Sequence, residues 1–162
     1  MVYQQFKRRG FSLIELVIVV VIIAIIAAIA VPKMSRGATG ASEAALMQNL
    51  AQMRSAIDLF VAEHAGSTPS TASATFLAQM TQYSDINGAT SATKTGAFIY
   101  GPYLKALPPL PVGTYKGLSG VTGTGPAGTT AGFGWFYDGT NIVANLAAGE
   151  TDSRGQSYSG TY

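Results

Sequence analysis

"KRRGFSLIELVIVVVIIAIIAAIAVP", residues 7–32, decides the architecture of the chain. Three basic residues, Lys7, Arg8 and Arg9, stand before Gly10, and Glu15 stands at the threshold of an apolar run. From Leu16 to Val31 there is no polar side chain. As a helix, residues 11–31 would span about 32 Å at about 1.5 Å per residue, one hydrocarbon thickness. Its many Ile and Val residues suit lipid, where a helix satisfies its own backbone. The positive-inside bias keeps Lys7, Arg8 and Arg9 in the cytoplasm and sends the rest of the chain outward. A carboxylate in the membrane costs about 2.5–3.5 kcal/mol on insertion scales, so Glu15 calls for a partner.

Two ordinary readings leave that acid unexplained. A plain single-span anchor has no use for it. A secretory signal cut after Ala28-Ile29-Ala30 has the right small residues and a charged start. Its apolar run is long for such a signal, however, and Pro32 would fall just after the cut.

A third reading uses every residue. The stretch resembles the N-terminus of type IV pilins and of the pseudopilins of type II secretion: a basic leader ending at Gly10, then Phe11, Glu15, an unbroken apolar helix and Pro32. The resemblance implies cleavage after Gly10 by a prepilin peptidase and N-methylation of Phe11. It also implies a mature chain that keeps its whole apolar helix. Cleavage creates an α-amino group, of ordinary pKa about 7.7–8.0, one helical turn from Glu15. In a stack of parallel subunits, Glu15 of one chain can meet the Phe11 amine of its neighbour. At low dielectric an unpaired partner is costly, so the pair favours one axial register.

The remaining composition is quiet. Of 162 residues, 48% are hydrophobic and 11% charged, and there is no cysteine. Disulfides, thiolate metal sites and a Cys nucleophile are therefore excluded. The net charge of +2 belongs to the leader; from Lys33 onward seven basic residues face seven acidic ones. No basic surplus remains in the body to attract nucleic acid.

"VPKMSRGATGAS", residues 31–42, is a breaker zone with Pro32, Gly37 and Gly40. In family members a helix often runs through this zone in the free subunit and can melt or stretch in the filament, so its state stays open. Ser42 is placed to cap a new or resumed helix, with Glu43 in its first turn. Leu46, Leu50, Met53, Ile57, Phe60 and Val61 then form one helical stripe. The helix should stop near Ala65-Gly66. His64, the single histidine, would sit at the helix C-terminus, where its protonated form meets the dipole favourably.

The expected organisation is α+β and pilin-like: a leader (1–10), a transmembrane and assembly helix (11–32), an amphipathic helix (33–66) and a globular body (67–162). The long helix should pack on a small antiparallel sheet. Phe76, Leu77 and Met80 suggest a short helix, and residues 87–96 an exposed loop. "YGPYLKALPPLPVGTY", residues 100–115, reads as an extended crossing pinned by Tyr103, Leu104 and Leu107. It resembles a proline segment of major pseudopilins, with Leu110-Pro111-Val112-Gly113 where that family has Asp-Pro-Trp-Gly. Residues 119–134 read as a mobile low-complexity loop. Asp138-Gly139 reads as a type I′ hairpin turn that sets Tyr137 against Thr140, Trp135 against Ile142 and Phe133 against Ala144. Phe133, Trp135, Ile142 and Ala144 should face the helix. The polar tail is read as exposed, with Glu150 and Asp152 as weak calcium candidates by oxygen chemistry.

No catalytic constellation is visible, and "GTGPAG" lacks the Lys of a P-loop. The expected function is structural: a subunit of a type II secretion pseudopilus that polymerises with itself through its N-terminal helix. The resemblance implies an inner-membrane platform protein and a cytoplasmic assembly ATPase as partners. It places the chain in the bacterial inner membrane with its body in the periplasm. A type IV pilus subunit for adhesion, motility or DNA uptake is the first alternative. A membrane-anchored periplasmic domain that does not polymerise is the second.

Overall fold

The computed structural model describes residues 10–125 and 128–158; the leader charges Lys7, Arg8 and Arg9 lie outside them. The chain divides into two compact units with the boundary between Ala38 and Thr39. The first helix, α1, is assigned without interruption from Leu13 to Glu63. One long helix with a membrane half and an amphipathic half was expected, and that is what forms; only the state of residues 32–42 was left open. The breaker zone is helical, although Pro and Gly are the poorest helix formers. Ser42 and Glu43 are accordingly not a helix start but interior positions of α1.

Within the second unit, the expected stripe is the core. Leu46, Leu50, Met53, Ile57 and Phe60 are buried, Ala56 joins them, and Val61 packs at the edge. Their three- and four-residue spacing puts them on one face, and burying that face drives the packing. The helix ends as its last residues suggested. Ala65 and Gly66 both take positive φ, 52° and 86°, and the Gly66 N–H donates to the Val61 carbonyl at 2.9 Å. Gly is the residue that tolerates such a turn at a helix end.

A short helix α2, Ser73–Thr81, follows and buries Phe76, Gln79 and Met80. Leu77 lies in this helix as expected and is half exposed. Strands β1 (Tyr83–Ser84) and β2 (Thr90–Ser91) pair antiparallel, so the expected loop at 87–96 contributes one short strand. The second sheet joins β3 (Val121–Thr122), β4 (Trp135–Tyr137) and β5 (Ile142–Ala144) in that order.

This sheet corrects three expectations. It is mixed rather than antiparallel: β3 runs parallel to β4, and β4 antiparallel to β5. Its strand β3 comes from the stretch read as a mobile loop, where Val121 and Thr122 are both buried. Two consecutive buried residues are enough for this edge strand, but too few to show in a glycine-rich sequence. The hairpin register differs too. Trp135 faces Ala144, Phe136 faces Val143 and Tyr137 faces Ile142.

The reason lies in Asp138. Its Oδ1 accepts from the Thr140 N–H at 2.8 Å and the Asn141 N–H at 2.6 Å, and its own N–H donates to the Asn141 carbonyl. The side chain thereby closes a turn around Gly139-Thr140, and only Gly139 (φ 98°) needs positive φ. The pairing moves by an even number of residues, so the inward face is preserved. Tyr137 takes the buried place expected of Phe133, beside Trp135, Ile142 and Ala144.

The proline segment crosses without forming a strand, as its four prolines require. Leu104, Leu107, Leu110 and Val112 enter the same core as the helix stripe. Trp135 Nε1 donates to the Pro108 carbonyl at 2.8 Å, and Asn49 Nδ2 to the Pro109 carbonyl at 3.2 Å. Gly134 shows how close the backbones lie: a Cβ there would stand 2.0 Å from the Leu118 carbonyl oxygen.

Candidate functional site

The candidate site is the start of α1. Gly10, Phe11 and Ser12 precede the helix and are exposed, Phe11 to 79%. The Leu16 N–H donates to the Ser12 carbonyl at 3.1 Å, which puts Ser12 at the N-cap position. Glu15 lies in the first turn and is exposed. Ser12 and Glu15 have the Ser-x-x-Glu spacing of a capping box. A carboxylate there also complements the positive end of the helix dipole. Sequence reasoning did not remark on this spacing, although Ser12 and Glu15 were both in view. Removal of residues 1–10 would add a cation at Phe11, just before the turn that holds the acid.

Beyond Glu15 the helix offers only apolar surface. Leu13–Ala30 has mean hydropathy 3.3, and none of it is buried. By length and composition it is the one helix among the described residues able to cross a membrane. Among the described residues none buries Val17, Val20, Ile23 or Ile26, each about half exposed or more. Such a continuous apolar surface needs lipid or other helices around it.

The other singled-out residues have structural work in the body. His64 is buried and stacks on Phe60, with ring centroids 3.7 Å apart and planes 9° from parallel. Its Nδ1 lies 2.7 Å from the Phe60 carbonyl oxygen, and its Nε2 lies 3.0 Å from Ser84 Oγ. It therefore ties the helix end to β1 instead of meeting the dipole from solvent. Beside it, Tyr103 donates to Glu63 Oε2 at 2.6 Å. Burial, then the bond to Glu63, pushes the Tyr103 pKa well above its ordinary value. The Tyr137 hydroxyl is buried without a hydrogen-bond partner among the described residues. Its pKa is raised by burial, with Thr68 opposing. Asp138, fully exposed, is held below the usual carboxylate range by the Asn141 and Thr140 amides.

Glu150 and Asp152 order the tail by hydrogen bonds, while residue 151 and residues 153–157 are exposed as expected. Glu150 accepts from the Thr114 N–H, from Thr114 Oγ1 at 2.6 Å and from the Ala147 N–H at 2.9 Å. Asp152 Oδ1 accepts from the Arg154 and Gln156 N–H groups, both at 2.8 Å. No group of three or more His, Cys, Asp or Glu gathers as for a metal ion among the described residues. A Thr151–Ser157 bridge and buried Tyr158 complete the ordered loop. Sequence reasoning also missed Asn145. It is buried, donates to the Thr130 and Phe133 carbonyls, both at 2.8 Å, and accepts from the Gly128 N–H. Asn145 thereby holds the glycine-rich stretch against β5. A polar residue directly after a buried strand was the available signal.

Comparison with known proteins agrees on the N-terminus. The family model described as "Prokaryotic N-terminal methylation motif" matches residues 5–31. No curated protein and no solved structure matches the chain. The motif implies processing by a prepilin peptidase and polymerisation. With that motif running into an uncovered apolar helix, the chain carries the signature of type IV pilin-like proteins, pilins and pseudopilins alike.

Proposed function

We propose that this chain is a structural subunit of a type II secretion pseudopilus. The observation that carries the reading is the methylation motif joined to an apolar helix that its own chain leaves uncovered. The absence of cysteine supports a pseudopilin over the many pilins with a C-terminal disulfide loop. The proline segment packed into the helix core supports it too, because it resembles that of major pseudopilins. Cleavage after Gly10 and methylation of Phe11 turn an inserted precursor into an assembly unit. Glu15 then pairs with the Phe11 amine of the adjacent copy and sets the register, since an unpaired charge at low dielectric is costly.

On this reading the protein acts by assembly, not by catalysis. The body faces the periplasm, and a cytoplasmic ATPase acting through an inner-membrane platform protein supplies the energy for extraction. Moving about twenty apolar residues out of lipid is uphill, so an engine is needed. A gene deletion that blocks secretion of folded cargo while leaving surface fibres intact supports the pseudopilus. A deletion that removes surface fibres and spares secretion supports the pilus. A mature protein that still begins at Met1, or starts at Val31, removes both and leaves a non-polymerising anchored domain.

A further inference from the structure

We propose that the bodies of adjacent copies meet head to tail, with Leu59 of one copy seated in a groove between α2 and the proline crossing of the next, and Asp58 beside it facing Lys105. The inference rests on polymerisation, which the processing motif implies, and holds for pilus and pseudopilus alike.

The acids point to it first. Seven lie beyond Lys33, and six of them are held by their own chain. Glu63, Asp138, Glu150 and Asp152 accept the hydrogen bonds given above. Glu43 accepts from Ser153, and Asp85 from the Asn87 and Ala89 N–H groups. Asp58 takes no hydrogen bond or ion pair from any described residue. Arg54, one turn before it, gives its guanidinium to the Ile142 carbonyl instead, at 3.3 Å. Asp58 thus stands as an uncommitted anion on the open side of α1, next to Leu59, which is 50% exposed.

The body also carries a complement. A groove of about 360 Å³ is lined by Ala74, Leu77 and Ala78 of α2, by Lys105 and Leu107, and by Ser119. Leu77 is 45% exposed within it, and Lys105 is exposed beside it with no acid among the described residues to pair with. A single exposed leucine carries no message by itself. Here one leucine adjoins an unpaired acid and the other adjoins an unpaired base, so the two patches match in polarity and oppose in charge.

The sheet keeps these patches apart within one chain. α2 packs on β3 and Ser119 leads into β3, whereas Arg54, Ile57 and Asp58 flank β5 at residues 140–142. β3 and β5 are the two outer strands of the order β3-β4-β5. The patches therefore lie at opposite edges of the sheet and meet between copies. A contact between two unlike surfaces does not close as a two-fold dimer; repeated without ring closure, it builds an open helix. Leu59 supplies the buried anchor, and the Asp58–Lys105 pair fixes its direction, because charge complementarity selects an approach more than it adds affinity.

Two measurements on filaments of the full-length protein test it. The chain has no cysteine, so an introduced pair reports alone. Leu59→Cys with Leu77→Cys, oxidised in sheared and pelleted material, should give a ladder of disulfide-linked dimers, trimers and longer chains. Leu59→Cys with Ile99→Cys, a similarly exposed site outside the groove, should give none. Asp58→Lys and Lys105→Glu should each cut the pelleted fraction about tenfold, and the two together should restore most of it. If either reversal unfolds the body, the cysteine pair decides. The proposal is overturned if wild-type filaments form while the Leu59→Cys, Leu77→Cys protein stays monomeric on oxidation. It is overturned too if the double reversal assembles no better than the poorer single change. A processed wild-type chain that never pellets overturns polymerisation itself and the proposal with it, and that outcome is read before any variant is made.

Discussion

One helix, α1, shows two ways of being apolar. Residues 13–30 are hydrophobic on every side, and the chain buries none of them. Residues 46–60 are hydrophobic along one stripe, and the chain buries the whole of it. A stripe matches a single opposing surface, and the proline segment and the mixed sheet supply that surface. An all-round apolar helix cannot be covered by one small body and is left for lipid or other copies. The width of the apolar face therefore divides intramolecular folding from assembly.

The sharpest way to break this comparison is at Gly10. Gly10→Glu should abolish leader removal, and mass spectrometry should find residues 1–10 retained, with no methyl-Phe11 terminus and no filaments. Next is Glu15→Leu, which leaves a perfectly apolar helix. It should insert normally yet cut filament yield by about tenfold or more, in keeping with the cost of an unpaired buried charge. Normal yield, measured as the sedimentable fraction, would sink the pairing role. The third contrast is direct. Leu50→Ala should destabilise the body by about 2–5 kcal/mol in denaturant melts. Ile22→Ala, an equally apolar truncation, should leave body stability unchanged.

Smaller effects come from the two raised tyrosines. The Tyr103 pKa is higher in the folded state than unfolded, so its contribution is fully present below the unfolded value, about 10, and is lost as pH rises above it. Tyr103→Phe should cost about 1 kcal/mol at neutral pH and flatten the alkaline limb of the stability profile. Tyr137→Phe should be the mildest change, within about 0.5 kcal/mol of neutral, because its buried hydroxyl makes no well-formed hydrogen bond among the described residues and Thr68 only approaches it.

Legibility followed the same division. The apolar helix, the stripe from Leu46 to Phe60, the stop at Ala65-Gly66 and the inward face of Trp135 and Ile142 could all be read, because each is a local periodicity or a local turn. Register, strand β3 and the tail could not. The hairpin register depended on whether Asp138 or Thr140 would occupy the turn, and a side-chain bond chose. The pairing of Val121 with Trp135 is a contact between a glycine-rich stretch and a strand, with no periodic trace. His64 stands at the helix end as expected, but its partner Ser84 could not be read locally, and Glu43, assigned to a helix start, lies inside α1 with a partner 110 residues away.

By itself, the sequence determined the processing motif and the apolar helix that follows it. A basic leader, Gly10 and Glu15 carry the processing motif, and a run without polar atoms favours insertion, because transfer free energy depends on composition and length. Only the tertiary structure decided how the body closes. It paired β3 in parallel, buried His64 against Phe60 and Ser84, and folded the tail onto Glu43. Those outcomes depend on which polar groups meet across dozens of residues, and a buried polar group takes whatever partner the fold brings to it.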